Sequence, residues 1–495
     1  MKSISATSPT ASAIDSATDR CPPPQPLEAQ RHPLILLVLL VGAFLPPLDY
    51  FIVNLALPAI RSGLHTSGAE LQLIISSYAS AYAVFLITGG RLGDLFGRKR
   101  MFLTGMAGFV LASALCGLSQ SGSALIIGRV LQGLAASVMA PQVLATLRTV
   151  FSSAEQPKVM SLYGSVFGLA AVVGQLGGGA LITWHPLGLG WQSIFWVNVP
   201  IGIAAFVGAV KLIPESQPKR DTRIDLLGVA LLSVFLGLLI YPLTRGREDG
   251  WPAWTIISLL ASGPALALFV WVEKRIARRG GDPLVHMELF DNRAFVIGLA
   301  MTFLFYFLSA FFLTYGIFLQ NGMGMSPLAS GLAVMPYAIG FLIGPLGTPA
   351  VARRIGNHIL ILGFSLIAIG FTVVIATLYW GQPLSLIFYA GLLCAGIGQG
   401  FILPSLVRIV LSEVRPERVG IASGLVTSLL QIGSAVGVAL VAGVFYTVLG
   451  NHGDISAYSH AFAATLQIVV GLMLVCLVLG SILTSRHGTS PGTRR

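Results

Sequence analysis

One carboxylate stands inside an apolar run. Leu48-Asp49-Tyr50-Phe51-Ile52-Val53-Asn54-Leu55-Ala56-Leu57-Pro58 carries Asp49 among residues suited to hydrocarbon, directly after Pro46 and Pro47. An acid in such a place is costly and marks a proton or ion site by default. The two prolines remove backbone hydrogen bonds and favour a kink where neighbouring groups satisfy the freed carbonyls. A counter-charge is available in Gly128-Arg129-Val130-Leu131-Gln132-Gly133, where Gln132 shares the helix face of Arg129 at i+3. Counted at 1.5 Å per residue from the same end, Asp49 lies about 13 Å deep and Arg129 about 9 Å, close enough to pair directly or through water. The chemistry such a pair offers is the binding and release of a proton as its surroundings change. The plainer alternatives are a permanently paired structural acid and an arginine that snorkels to the interface.

A second constellation is Thr88–Phe102, TGGRLGDLFGRKRMF. It reads as the end of one membrane helix, a tight basic turn and the start of the next. Gly90 and Gly93 permit close helix approach, and Gly97 can adopt the positive φ that a chain reversal needs. Arg98, Lys99 and Arg100 hold the turn on the cytoplasmic side, and Asp94, a lone acid among bases, requires a fixed partner.

The elements that carry these residues are membrane helices. The chain of 495 residues is 55% hydrophobic and 10% charged, with mean hydropathy +0.83, whereas soluble domains carry about 25% charged residues. Fourteen spans are expected, over residues 34–58, 70–90, 101–119, 123–148, 159–183, 192–213, 224–243, 253–274, 294–320, 328–350, 357–379, 384–411, 419–449 and 461–484. Residues 1–33 and 485–495 are polar tails, expected to be disordered and cytoplasmic. With the N-terminus inside, only Arg61, Arg245 and Arg247 fall in outer loops and Arg129 inside a span, while every other lysine and arginine falls on the cytoplasmic side. Topology thus accounts for the net charge of +11 without nucleic acid. The four cysteines are scattered, with no metal spacing and no disulfide framework.

A weak repeat divides the spans. Arg353-Arg354-Ile355-Gly356 echoes the Asp94 turn, and Lys158-Val159 before Gly164 matches Arg418-Val419 before Gly424. Two six-helix halves follow, at 34–213 and 294–484, with 224–274 as two inserted helices. Parallel halves around a midplane cavity are a transporter architecture. Span 5 carries Gly164, Gly168, Gly174, Gly177, Gly178 and Gly179, a density that suggests a sliding interface between halves. The run from Trp191 to Gly202 opens span 6 with interfacial tryptophans. Span 9 is aromatic-rich and could line a cavity for planar ligands, although most of its rings are expected to face lipid. Asp49 is the only acid placed deep in a span, with Glu70, Asp225 and Glu413 at span ends.

Together the Asp94 turn, the Asp49 and Arg129 stretches, the span 5 glycines and the Trp191–Gly202 run resemble the fourteen-span drug:proton antiporter family of the major facilitator superfamily. The match reaches from residue 48 to 202 by motif and over nearly the whole chain by span count. The family's usual Gly-Pro in span 5 is Gly174-Gln175 here, which removes the proline. The resemblance implies an all-α polytopic fold, alternating access and proton-coupled export of hydrophobic, often cationic, compounds. Asp49 and Arg129 would couple protons, and Gly90, Asp94, Gly97, Arg98 and Lys99 would gate, with Asp94 bonded to a basic group or to the start of span 13 near Val419. Asn54, Gln132, Gln175, Tyr306 and Tyr315 would line the substrate cavity, and Gly164, Gly168, Gly174 and Gly178 form the antiporter glycine motif. The expected setting is the cell membrane, as a monomer with both termini cytoplasmic, with a small-molecule substrate and the proton gradient in place of any cofactor. A dedicated exporter of one antibiotic, siderophore or metabolite is the alternative, and a nutrient importer of the same fold ranks below it. No G-x-x-x-x-G-K-[ST] loop supports an ATP-driven pump, and no cluster of His, Cys or acids supports an enzyme.

Overall fold

A computed structural model describes residues 26–152, 155–215, 225–246, 249–281, 283–412, 414, 419–450 and 453–487. The described chain is helical, without strands. Among the described residues fourteen helices run in order, long and apolar enough to cross a membrane when Pro327–Tyr379 is divided at Gly356. The first six are α1 (Pro26–Leu64), α2 (Gly68–Phe96), α3 (Arg98–Gly117), α4 (Gly122–Val150), α5 (Gln156–Trp184) and α6 (Ser193–Leu212). Then come α7 (Leu226–Arg245), α8 (Ala253–Arg278), α9 (Arg293–Gly322) and α10 (Pro327–Ile355). The last four are α11 (Ile359–Tyr379), α12 (Leu386–Ser412), α13 (Val419–Leu449) and α14 (Ile455–His487).

Every expected span is a helix, but several run further than hydropathy alone indicates. The first helix begins at Pro26, inside the segment expected to be a disordered tail, and the last runs to His487; residues 1–25 and 488–495 lie outside the described residues. Once nucleated in hydrocarbon, a helix gains a backbone bond for each added residue, so it overruns the apolar window. Pro46 and Pro47 sit within α1 without ending it.

The two halves share a packing plan. In the first, α2 packs on α4, and in the second α10 packs on α12. The two corresponding basic turns are both built on a left-handed glycine, Gly97 at φ +96° and Gly356 at φ +59°. Only glycine takes such angles without strain, so the sequence echo between these turns is an echo of backbone geometry. The halves meet along two seams, α5 against α10 and α2 against α13. The inserted pair α7 and α8 pack on each other, with α7 touching α2 and α13.

Glycines set the first seam. A side chain at Gly168 would sit 2.5 Å from Leu342 Cα, and one at Gly179 would sit 2.8 Å from Leu328 Cα, both on α10. Gly174 and Gly178 face the other way, where a Cβ would meet Phe51 Cβ at 2.8 Å and Ile52 Cγ1 at 2.6 Å on α1. Helix α5 therefore presents small residues on two faces and is wedged between its own half and the other. Gly164 departs from the expected motif, since nothing lies within 4 Å of its missing side chain. Gly90 departs likewise, because only Pro141 stands near it, at an ordinary 3.8 Å. Gly93 makes its expected close approach, to Gln142 of α4, and Gly89 rather than Gly90 makes the other, to Ser137.

The aromatic helix α9 reverses an expectation. Phe305, Phe307, Phe311, Phe312, Tyr315 and Phe318 are all buried rather than turned to lipid. Tyr315, Phe318 and Phe462 stack nearly parallel, with Phe311 stacked on Tyr315. The helix sits between α13, α14 and α1, so residues 305–319 have no exposed face, while Arg293, Val296 and Ala300 nearer its start remain exposed.

Candidate functional site

Asp49 has no exposed surface, and two helices, α4 and α6, supply its partners. Arg129 of α4 forms an ion pair with it through Nη1. Gln132 Nε2 donates to Oδ1 at 2.7 Å, and Asn198 Nδ2 of α6 donates to the same oxygen at 2.9 Å. The scaffold behind them is hydrogen-bonded as well. Arg129 Nε donates to the Ile74 carbonyl of α2 at 3.0 Å, and Nη1 also donates to Gln132 Oε1 at 2.6 Å. Gln132 donates in turn to Ser113 Oγ of α3 at 2.9 Å. The spacing of Arg129 and Gln132 explains their joint action, since residues three apart on a helix point the same way.

The charge is wholly enclosed. Arg129 is fully buried, with its guanidinium carbon 4.2 Å from the centre of the Tyr78 ring. A cation over an aromatic face away from water gains about 2 kcal/mol or more. Tyr78 OH donates to the Pro46 carbonyl at 3.2 Å, which fixes the ring against α1. Removing one member of such a cluster strands a buried charge, at a cost of about 3–5 kcal/mol.

Tyr78 is also a wall. Its ring borders a cavity of about 70 Å³ between the halves, which Pro46, Tyr50 and Tyr82 line from the first half and Tyr306, Phe312 and Gln399 from the second. Lining residues Ala43, Ala140, Tyr163 and Phe167 place it toward the end of the molecule that carries the basic turns. A drug-sized ligand needs roughly 300–1,000 Å³, so this conformation is closed too tightly to hold one. The opposite end is sealed by Gln320 Nε2 on the Leu55 carbonyl at 2.8 Å, and by Gly331 against the Gln175 carbonyl. Tyr50 OH and Ser434 Oγ, 3.3 Å apart, join the halves across the cavity.

Of the residues expected to line a cavity, only Tyr306 does so. Asn54 is turned back onto the Tyr50 carbonyl at 2.7 Å, and Gln175 onto the Phe51 carbonyl at 3.3 Å. Gln132 belongs to the Asp49 cluster, and Tyr315 OH donates to the Ala333 carbonyl at 3.2 Å. Buried polar groups take an acceptor within reach, which for Asn54, Gln175 and Tyr315 is a backbone carbonyl within the bundle wall and for Gln132 is the Asp49 cluster. Sequence reasoning missed Tyr78, Ser113 and the role of Asn198. Of these only Asn198 carried a signal, as a polar residue in the apolar Trp191–Gly202 run.

Asp94, Arg98 and Lys99 of the basic turn make contacts within their own half. Asp94 pairs with Arg98 at 3.5 Å, one helical turn on. Arg98 Nη1 also donates to the Ala145 carbonyl of α4 at 3.2 Å, and Lys99 Nζ to the Val210 carbonyl near the end of α6 at 2.8 Å. The expected contact of Asp94 with the start of α13 near Val419 falls on side chains outside the described residues.

The model of the Major Facilitator Superfamily matches residues 39–438, with a second match over 297–494. The chain belongs to the Major Facilitator Superfamily. As a member of this superfamily it is a multi-pass membrane transporter and not an enzyme. It is 36% identical over 435 residues to a probable actinorhodin transporter of Streptomyces coelicolor, covering 87% of this chain and 75% of that one. A tetracenomycin C resistance and export protein of Streptomyces glaucescens is 32% identical, covering 84% and 76%. A puromycin resistance protein of Streptomyces alboniger is also 32% identical, covering 96% and 95%. Among solved structures, the human organic anion transporter MFSD10 superimposes with a TM-score of 0.61 at 17% identity, over 92% of this chain and 100% of that one. At that identity the superposition speaks to the superfamily fold alone.

Proposed function

We propose that this superfamily member is a proton-driven exporter of hydrophobic aromatic compounds, working by alternating access in the cell membrane as a monomer with both termini in the cytoplasm. The observation that carries the reading is the enclosed Asp49–Arg129 pair, which lies behind Tyr78 and beside the inter-half cavity. The relatives named for antibiotic transport, resistance and export support the direction of transport. The basic turns support a cytoplasmic placement of the end that holds both termini.

The coupling follows from the position of Tyr78. Asp49 and Arg129 do not border the cavity, but Tyr78 touches Arg129 on one side and the cavity on the other. Protonating Asp49 removes the charge that holds Arg129, Gln132 and Asn198 together. The guanidinium then has a different best position, and the Tyr78 wall moves with it. Proton and substrate thus compete through a shared wall rather than for one oxygen. The lining has tyrosine hydroxyls and glutamine amides but no charged side chain. Selection for planar rings with hydrogen-bonding groups fits this lining, and a cationic centre has no acid in it to meet.

Reconstituted protein, with the pH gradient and membrane potential set separately, tests the proposal. Asp49→Asn is expected to abolish uphill export driven by the pH gradient while leaving downhill equilibration of neutral compounds. Undiminished uphill export by that variant would move the proton site elsewhere. A dedicated antibiotic exporter is the second reading, favoured by three relatives that are each named for one antibiotic. A panel of aromatic antibiotics in the same vesicles separates the two readings.

A further inference from the structure

Asp49 is not the only acid without exposed surface among the described residues. Glu273, near the end of α8, has none either, and Asp225, the residue before α7, is 9% exposed. The sequence presents Glu273 as one more charge beside Lys274 and Arg275 at a span end, and only the fold turns it inward. Its Oε2 accepts from the Val285 amide at 2.7 Å. Its Oε1 is buried with no donor among the described residues. That oxygen and Asp225 Oδ2 both crowd the point beside Gly228 where a Cβ would stand, which sets the two carboxyls side by side. Asp225 Oδ1 accepts from the Gly228 amide at 2.7 Å and Oδ2 from the Leu284 amide at 3.3 Å. Gly228 closes the site: a Cβ there would collide with Glu273 Oε1 and lie 2.5 Å from Asp225 Oδ2.

Two facing carboxyl oxygens have no hydrogen between them unless one group is protonated. Both ionised, they would set two like charges together out of water, an arrangement that dyads avoid by sharing one proton. No group of three or more His, Cys, Asp or Glu side chains able to hold a metal ion occurs among the described residues, and a shared proton is the ligand that two adjacent buried carboxyls take. The same corner holds Arg91 of the gating turn, three residues before Asp94. Its Nη2 donates to the Pro283 carbonyl, and its charge acts on Glu273.

We propose that Asp225 and Glu273 form a second proton-binding site, remote from the Asp49 cluster, whose occupancy sets how firmly the 283–285 segment and Arg91 are tied to the inserted helices. With one proton present, the neutral carboxyl donates to the ionised one, and α7, α8 and the connector to α9 are joined. Loss of that proton to solution leaves two carboxylates face to face. Repulsion then parts them and releases the amides of Leu284 and Val285. The titratable and charged groups on the described elements around the site are Asp225 before α7, Arg91 and Asp94 toward the end of α2, the exposed Lys274, Arg275 and Arg278 of α8, and His286, Glu288 and Asp291 of the connector.

The test uses full-length protein in lipid nanodiscs, without substrate. Infrared difference spectra on raising the pH are expected to show loss of a protonated carboxyl band in the wild type and in Asp49→Asn. That band should be missing in both Glu273→Gln and Asp225→Asn. Amide exchange at Leu284 and Val285, corrected for intrinsic rates, should rise about tenfold over the same titration in the wild type. In Glu273→Gln, whose side chain stays neutral and can still donate to Asp225, the rise should vanish, and in His286→Gln it should persist. A band or an exchange rise retained in both Glu273→Gln and Asp225→Asn would overturn the proposal, as would a rise abolished by His286→Gln. Neither readout depends on transport, so failure here is distinct from failure of the exporter reading.

Discussion

The two halves place a tyrosine at the same point and give it different work. Tyr78 is the eleventh residue of α2 and Tyr337 the eleventh of α10, and each is crossed by a glycine of the facing helix, Gly133 and Gly396. In the first half, Tyr78 lies against Arg129 and so against the ion pair. In the second, the Tyr337 hydroxyl donates to Gln399 of α12, and the ring joins the Phe311 and Phe371 cluster. The scaffold is thus common and the chemistry is not. The first half carries the Asp49–Arg129 ion pair, and the second supplies an aromatic and amide bed. Charge can drive movement where its protonation changes, whereas a neutral tyrosine–glutamine bond gives an orientation but no coupling to a proton.

This contrast can be broken most severely at Arg129. Arg129→Ala leaves Asp49 buried with only amide donors, so a loss of about 3–5 kcal/mol is expected, seen as a lower unfolding temperature in detergent. A variant as stable as wild type would mean that the pair is not the enclosed cluster described above. The seam between the halves is next. Gly168→Leu drives a side chain into the Leu342 backbone and should stop transport while leaving membrane insertion intact. Gly164→Ala, with open space around it, should keep near wild-type rates. Equal rates for the two variants would show that the α5–α10 seam need not stay close. The smallest effect is expected in the second half. Tyr337→Phe removes one hydroxyl and one hydrogen bond, for a loss of about 0.5–1.5 kcal/mol. Its pH dependence of transport should match the wild type. A shifted pH profile in Tyr337→Phe would show that coupling reaches both halves.

Much of this was legible in advance for simple reasons. Fourteen spans follow from hydropathy, because a backbone in hydrocarbon must be helical. The basic turn with Gly97 follows from local backbone needs. The Asp49–Arg129 pairing follows from cost, since two isolated charges at similar depth have little else to pair with. Lining residues were not legible in the same way. Asn54, Gln175 and Tyr315 are polar residues in spans, as a cavity residue would be, yet each bonds a backbone carbonyl instead. Helical periodicity does not say which of several buried faces meets a void.

What the sequence determined by itself is the set of helices, their alternation across the membrane, the doubled halves and the presence of one buried acid with one buried base. These depend on local composition and on spacing within a single helix. Only the tertiary structure decided that Asn198 and Tyr78 join the Asp49 cluster, that α5 buries glycines against both halves, and that the rings of α9 face inward. It alone turned Glu273 away from its basic neighbours to face Asp225. Each of these depends on which helix lies beside which and at what rotation. That is fixed by packing between segments distant in the chain, where a glycine or a carbonyl on one helix determines what the next can place against it.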